Sequence, residues 1–137
     1  MRIIGLDLGE RRIGVAISDP LGLTAQALEV IDTKRTTWQD RLDDIIKEYD
    51  VETLLVGLPK NMNGSIGPRG LLCEKMAEEL EERYGLPVIL WDERLSTVAV
   101  ERTLIESNMR REKRKKIIDQ LAATWILQGY LESKRRS

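Results

Sequence analysis

The chain contains no histidine and no phenylalanine, and only one cysteine, Cys73. Without histidine, Ser-His-Asp and Cys-His catalysis, imidazole acid–base chemistry and His-containing zinc sites are excluded. One thiol cannot close an internal disulfide, and Cys73 reads as a buried helix residue. No apolar run approaches the roughly 20 residues of a membrane span. The opening Met1-Arg2-Ile3-Ile4-Gly5 lacks the build of a signal peptide, so a cytoplasmic protein with no membrane partner is expected. Any chemistry must rest on carboxylates, Lys, Arg, Ser, Thr, Tyr or a metal held by oxygen.

What is present is 137 residues, 42% apolar and 33% charged. That profile suits one soluble globular domain over residues 1–137. The 22 basic and 23 acidic groups nearly cancel, but unevenly. From Met109 onward nine Lys and Arg stand against three acids, and the rest of the chain holds 13 against 20. A basic end on a near-neutral chain suits local contact with a polyanion. The plain alternative is a solvated helix start and a frayed tail.

Arg2–Leu8 and Arg12–Ser18 read as buried strands joined by the hairpin-length Gly9-Glu10-Arg11. Ala25–Ile31 is a third strand, entered through the turn Asp19-Pro20-Leu21-Gly22. The period then becomes helical at Trp38, Leu42, Ile45, Ile46 and Tyr49, with a capping box available from Thr36 and Gln39. Thr53–Leu58 is an apolar strand, and Gly57–Gly70 a Gly/Pro/Asn-rich loop. Leu71–Tyr84 is a helix closed by Gly85 and Pro87, with a solvated face of Glu78, Glu79, Glu81 and Glu82. Val88–Trp91 is the fifth strand, and Ser96 caps a helix to about Ser107. A last helix over Lys113–Ser133 carries the stripe Ile118, Leu121, Ala122, Trp125 and Gly129. Helical crossovers place strands one, four and five in parallel. The expected fold is α/β: a mixed five-stranded sheet, three strands antiparallel, with helices on both faces.

Three acids interrupt apolar surroundings. Asp7 lies in Ile3-Ile4-Gly5-Leu6-Asp7-Leu8-Gly9, where an ionised carboxylate is costly unless paired or metal-bound; a bland pairing with Arg11 or Arg12 is the alternative. Glu93 ends a parallel strand, the ligand edge of an open α/β sheet, although Asp92 or Glu93 can simply cap the next helix. Asp119 sits within Ile117-Ile118-Asp119-Gln120-Leu121-Ala122-Ala123, with helix-surface pairing to Lys115 or Lys116 as its plain reading. Carboxylates gathered without His or Cys suit a hard cation, Mg²⁺ or Mn²⁺, as one or two ions. The basic residues Arg110, Arg111, Lys113, Arg114, Lys115 and Lys116 precede Asp119 and suit a phosphate backbone. Lys60 and Arg69 add charge to the Gly-rich loop, which is either a phosphate cradle or a flexible connection and does not match a P-loop.

Gly5-Leu6-Asp7-Leu8-Gly9 with Arg12-Ile13-Gly14-Val15-Ala16-Ile17-Ser18-Asp19, then Gly57-Leu58-Pro59 with Met62, Gly64 and Gly67, resemble the YqgF/RuvX family. Asp92-Glu93-Arg94-Leu95-Ser96-Thr97 and Lys116-Ile117-Ile118-Asp119 through Ala122-Ala123, Ile126-Leu127 and Tyr130-Leu131 complete a collinear match over nearly the whole chain. The family is a branch of the ribonuclease H-like superfamily related to the Holliday-junction resolvase RuvC. The resemblance implies a ribonuclease H-like fold and a divalent-metal nuclease on structured nucleic acid, with active-site acids at Asp7, Glu93 and Asp119. Superfamily members often use a fourth acid, for which Asp19 and Asp92 are the candidates. The implied task is processing the 5′ end of the small-subunit ribosomal RNA precursor, or alternatively resolution of branched DNA. A non-catalytic nucleic-acid-binding assembly factor is a further reading. Asp7-Leu8-Gly9 also resembles the phosphate loop of actin- and hexokinase-like ATPases, which need two such domains where this length supplies one. The oligomeric state is open between monomer and homodimer: a resolvase favours a two-fold dimer, whereas an RNA processor can work as a monomer.

Overall fold

Ile3 on one side and Ile4, Leu6 and Leu8 on the other make both faces of the first strand apolar, so it is stable only with cover on each. The computed structural model describes residues 2–108 and 110–136, apart from the side chains of Ala99, Asn108 and Arg136. It puts that strand, β1 (Arg2–Leu8), in mid-sheet. On one side β1 pairs antiparallel with β2 (Arg12–Ser18), and β2 antiparallel with β3 (Ala25–Asp32). On the other, β1 pairs parallel with β4 (Val51–Leu58) and β4 parallel with β5 (Val88–Asp92). The order is β3-β2-β1-β4-β5, the mixed sheet expected from the strand and crossover pattern.

Helices α1 (Trp38–Tyr49) and α2 (Pro68–Tyr84) bury Leu42, Ile45, Cys73, Ala77 and Leu80 against Ile4, Leu6, Val15, Leu54 and Val56. Helices α3 (Val98–Asn108) and α4 (Arg111–Arg136) close the opposite face. There Val98, Ala123, Ile126, Leu127 and Tyr130 meet Ile3, Ala16 and Leu55. Each fully buried Leu, Ile or Val is worth about 1.5–3 kcal/mol, so two such layers outweigh a few polar groups at the sheet's edge.

Several boundaries differ from the sequence expectation. β4 starts at Val51, which is buried and pairs with Arg2. α2 starts at Pro68 rather than Leu71, because proline's fixed φ and missing N–H suit the first helical position; the loop shrinks accordingly. The Thr36–Gln39 capping box is not formed: Thr37 is the N-cap of α1 and makes no side-chain cap hydrogen bond. A 3-10 turn, Glu93–Leu95, intervenes before α3, so the helix opens at Val98. Ser96 still serves that junction, its hydroxyl donating to Glu93 O (2.6 Å) and accepting from Val98 N (3.3 Å). α4 begins at Arg111 and ends at Arg136, not Lys113–Ser133, so most of the basic segment is helical. Its buried stripe is Ala122, Ala123, Ile126, Leu127, Tyr130 and Leu131. The expected Ile118, Leu121, Trp125 and Gly129 are only half-buried. Two adjacent alanines let the helix turn its narrow side to the sheet.

Candidate active site

Strands β1, β4 and β5 run in parallel, so their carboxyl ends share one edge, where open α/β sheets bind ligands. Asp7 is the penultimate residue of β1 and stands opposite Gly14 of β2. A Cβ built on Gly14 would lie 3.6 Å from the Asp7 Cβ and 2.9 Å from the Asp119 carbonyl oxygen of α4. The absence of a side chain at Gly14 therefore lets α4 bring Asp119 down beside Asp7. Gly57 of β4 does the same for Glu93, just past β5, whose Oε1 lies 3.0 Å from where a Cβ would be. The three acids predicted from sequence come from three separated segments to one edge and one face of the sheet.

The charges around them are mostly arginines. Asp7 Oδ2 is 3.9 Å from Arg102 Nη2 of α3, with the Asp7 side chain only 16% exposed. Asp119 Oδ2 is 3.5 Å from Arg12 Nη1, so Arg12 serves Asp119 rather than Asp7, and neither Lys115 nor Lys116 is its partner. Burial pushes the Asp7 carboxyl above its ordinary range, while Arg102 and Arg69 pull it back and the Asp119 charge adds to the rise. Glu93 is raised for the same first reason, then by Asp7, against the same two arginines. Among the described residues, no three Asp, Glu or Cys side chains stand close enough to hold one ion as they are arranged. The donor set is chemically right for a hard cation, with guanidinium groups supplying the positive charge instead.

The candidate fourth acids lie outside this group. Asp19 is at the opposite end of β2, where its carboxylate accepts from Leu23 N (2.6 Å) and Thr24 N (2.9 Å). Asp92 caps the 3-10 turn through Arg94 N and pairs with Arg94 Nη2 at 2.7 Å. That hydrogen-bonded pair holds its carboxyl below the usual range. Lys60, placed by sequence with the phosphate contacts, lies 4.0 Å from Asp92.

The other basic candidates surround Asp119. Arg111, Arg114 and Lys115 line a cleft of about 420 Å³ on one side of it. Lys115 and Lys116 line a second, of about 440 Å³, with Arg12. Arg69, in the first turn of α2, shares a third with Lys115. Arg110 and Lys113 are exposed beside them. Cations in a first helical turn oppose the helix dipole, each costing about 0.3–1 kcal/mol. They gain nothing from the α4 dipole, and Arg114 Nη1 instead donates to Glu106 O in the last turn of α3 (2.9 Å). Sequence reasoning did not assign Arg12, Arg11 or Arg102 to the site. Arg102 carried a signal: it falls on the stripe Val98, Arg102, Ile105 of α3, which is otherwise apolar.

The sheet order β3-β2-β1-β4-β5 with helices on both faces gives the chain a RuvC-like, ribonuclease H-like fold. Thermus thermophilus RuvC in complex with a Holliday junction matches with a TM-score of 0.57 over 100% of this chain and 97% of RuvC, at 14% identity. Fowlpox virus resolvase in complex with Holliday junction DNA matches at 0.50 over 98% and 99%, also at 14% identity. These likenesses are of fold. The chain belongs to the RuvX family, described as Holliday junction resolvase, which matches residues 1–133. Relatives from Bacillus thuringiensis (strain Al Hakam) and Bacillus anthracis (strain A0248) are 55% identical over 137 residues, covering 98% of this chain and all of theirs. Both bear the name "Putative pre-16S rRNA nuclease".

Proposed function

We propose that this chain is a nuclease hydrolysing phosphodiesters in structured nucleic acid, with 5′-end maturation of pre-16S ribosomal RNA as its task and Mg²⁺ or Mn²⁺ as its cofactor. The observation that carries this reading is the arrival of Asp7, Glu93 and Asp119 at one sheet edge, bordered by basic clefts. All three offer oxygen donors, which hard divalent cations take in preference to softer metals. Such a cation, when bound, supplies an acidic water as nucleophile and stabilises the departing oxygen. Asp7, Glu93 and Asp119 would hold it, while Arg111, Arg114, Lys115 and Arg69 would fix the phosphate backbone and Arg110, Lys113, Lys116 and Lys60 would add field. The names of the 55% identical relatives support the ribosomal RNA precursor as substrate.

The family description favours a second reading, resolution of four-way DNA junctions. Symmetric cutting would then require a two-fold dimer, whereas a single chain suffices for RNA, and sedimentation distinguishes these states. Cleavage of a pre-16S rRNA fragment and a DNA junction, measured side by side in Mn²⁺, decides the substrate. Asp7→Asn, Glu93→Gln and Asp119→Asn should each fold and lose cleavage by about 100-fold or more, as expected when several kcal/mol of charge stabilisation go. Parent-level cleavage by all three variants would refute the site. If the purified protein binds but never cuts, a non-catalytic assembly factor replaces the enzyme.

A further inference from the structure

Arg12 has two neighbours of opposite use. Its guanidinium holds Asp119 at 3.5 Å. It also lines a cleft of about 320 Å³ with Arg11, Arg69, Lys115, Glu10 and Asp119. Four cations against two acids, drawn from the β1–β2 hairpin, the start of α2 and the start of α4, make this a seat for a phosphodiester. A guanidinium binds phosphate through two parallel N–H donors and is less hydrated than an ammonium. A backbone phosphate in the cleft is therefore a direct competitor of Asp119 for Arg12.

The consequence lies next to Asp7. The Asp119 backbone and the Asp7 Cβ flank the same point above Gly14; among the described residues no three acids form a set, and Arg12 stands 3.5 Å from Asp119. Building on the nuclease reading above, we propose that Arg12 is a positioning residue that couples substrate to cation. Without nucleic acid it holds Asp119 aside; a phosphodiester in the cleft takes Arg12, and the freed Asp119 joins Asp7 and Glu93 in binding a divalent ion. By linkage, nucleic acid and cation then each strengthen binding of the other by the same factor.

The test is Mn²⁺ affinity of the full chain, read by electron paramagnetic resonance with and without an RNA hairpin verified intact on a gel. In the absence of RNA, Arg12→Gln should bind Mn²⁺ about 5-fold or more tightly than the parent, the lower end of ordinary coupling, with Arg12→Lys between them. The hairpin should tighten Mn²⁺ binding in the parent by a similar factor and by less than about 2-fold in Arg12→Gln. Adding Asp119→Asn to Arg12→Gln should cancel the gain, which separates release of Asp119 from a general loss of positive charge. Unchanged affinity in Arg12→Gln, no effect of the hairpin on the parent, or equal tightening of both proteins overturns the coupling. Asp7→Asn distinguishes the two levels. If it abolishes Mn²⁺ binding while Arg12→Gln is inert, only the coupling fails; if it leaves Mn²⁺ binding intact, the nuclease reading fails as well.

Discussion

Asp7 holds a carboxylate in a place where folding alone would prefer none. Its folded-state proton affinity is raised, chiefly by burial. The native state therefore retains a proton that the unfolded chain has already released, and this contribution to stability falls as pH rises through the ordinary carboxylate range toward the raised value. At neutral pH the charge is a net cost, with Arg102 a partial counterweight at 3.9 Å. Asp7→Asn should raise the unfolding free energy at neutral pH, where the buried charge is a cost, and flatten its pH dependence across that range, as urea melts at several pH values would show. A drop in stability would mean that the carboxylate is part of the scaffold. The same anomaly made this part of the site legible beforehand, because an acid within Ile3–Leu8 has no reason in packing. The arginines were less legible. Arg12 and Asp119 are over a hundred residues apart in the chain, and only tertiary contact reveals that they meet.

Among the elements, α4 and β2 show how a missing side chain sets a site. Gly14→Ala would put a methyl group 2.9 Å from the Asp119 carbonyl oxygen, a backbone atom that cannot rotate away. The helix must shift, at about 1–3 kcal/mol for overpacking, and Asp119 shifts with it. The expected outcome is a lower melting temperature together with weakened cleavage, whereas unchanged cleavage would show that the height of α4 above β2 is not critical. Strand directions, antiparallel for the first three and parallel for one, four and five, were legible because β1 and β2 are apolar on both faces and short links allow few topologies. Helix ends were not, since the first turns of α2 and α4 contain Pro68-Arg69-Gly70 and Arg111–Lys116, which have no apolar periodicity to mark them. The parallel direction of β5 was readable from the crossover. The 3-10 turn that carries Glu93 was not, because its geometry depends on Asp92 and Ser96 accepting backbone N–H groups.

For the molecule as a whole, near-zero net charge conceals a basic region assembled from the hairpin, the start of α2 and the start of α4. Binding of nucleic acid should weaken steeply with salt, because it releases condensed counterions and that release gains less as their bulk concentration rises. Changing Arg111, Arg114 and Lys115 together to Gln should lower the slope of log affinity against log salt by about 2 to 3, measured by anisotropy at several ionic strengths; an unaltered slope would remove α4 from the interface. In α4 itself, the buried residues among those described run from Ala122 to Leu131, while Arg111, Lys113, Lys115 and Lys116 before them are exposed. Anchorage and grip thus occupy separate stretches of a single rod. Evolution can rewrite the exposed stretch to suit another polyanion while the anchored one keeps the molecule folded.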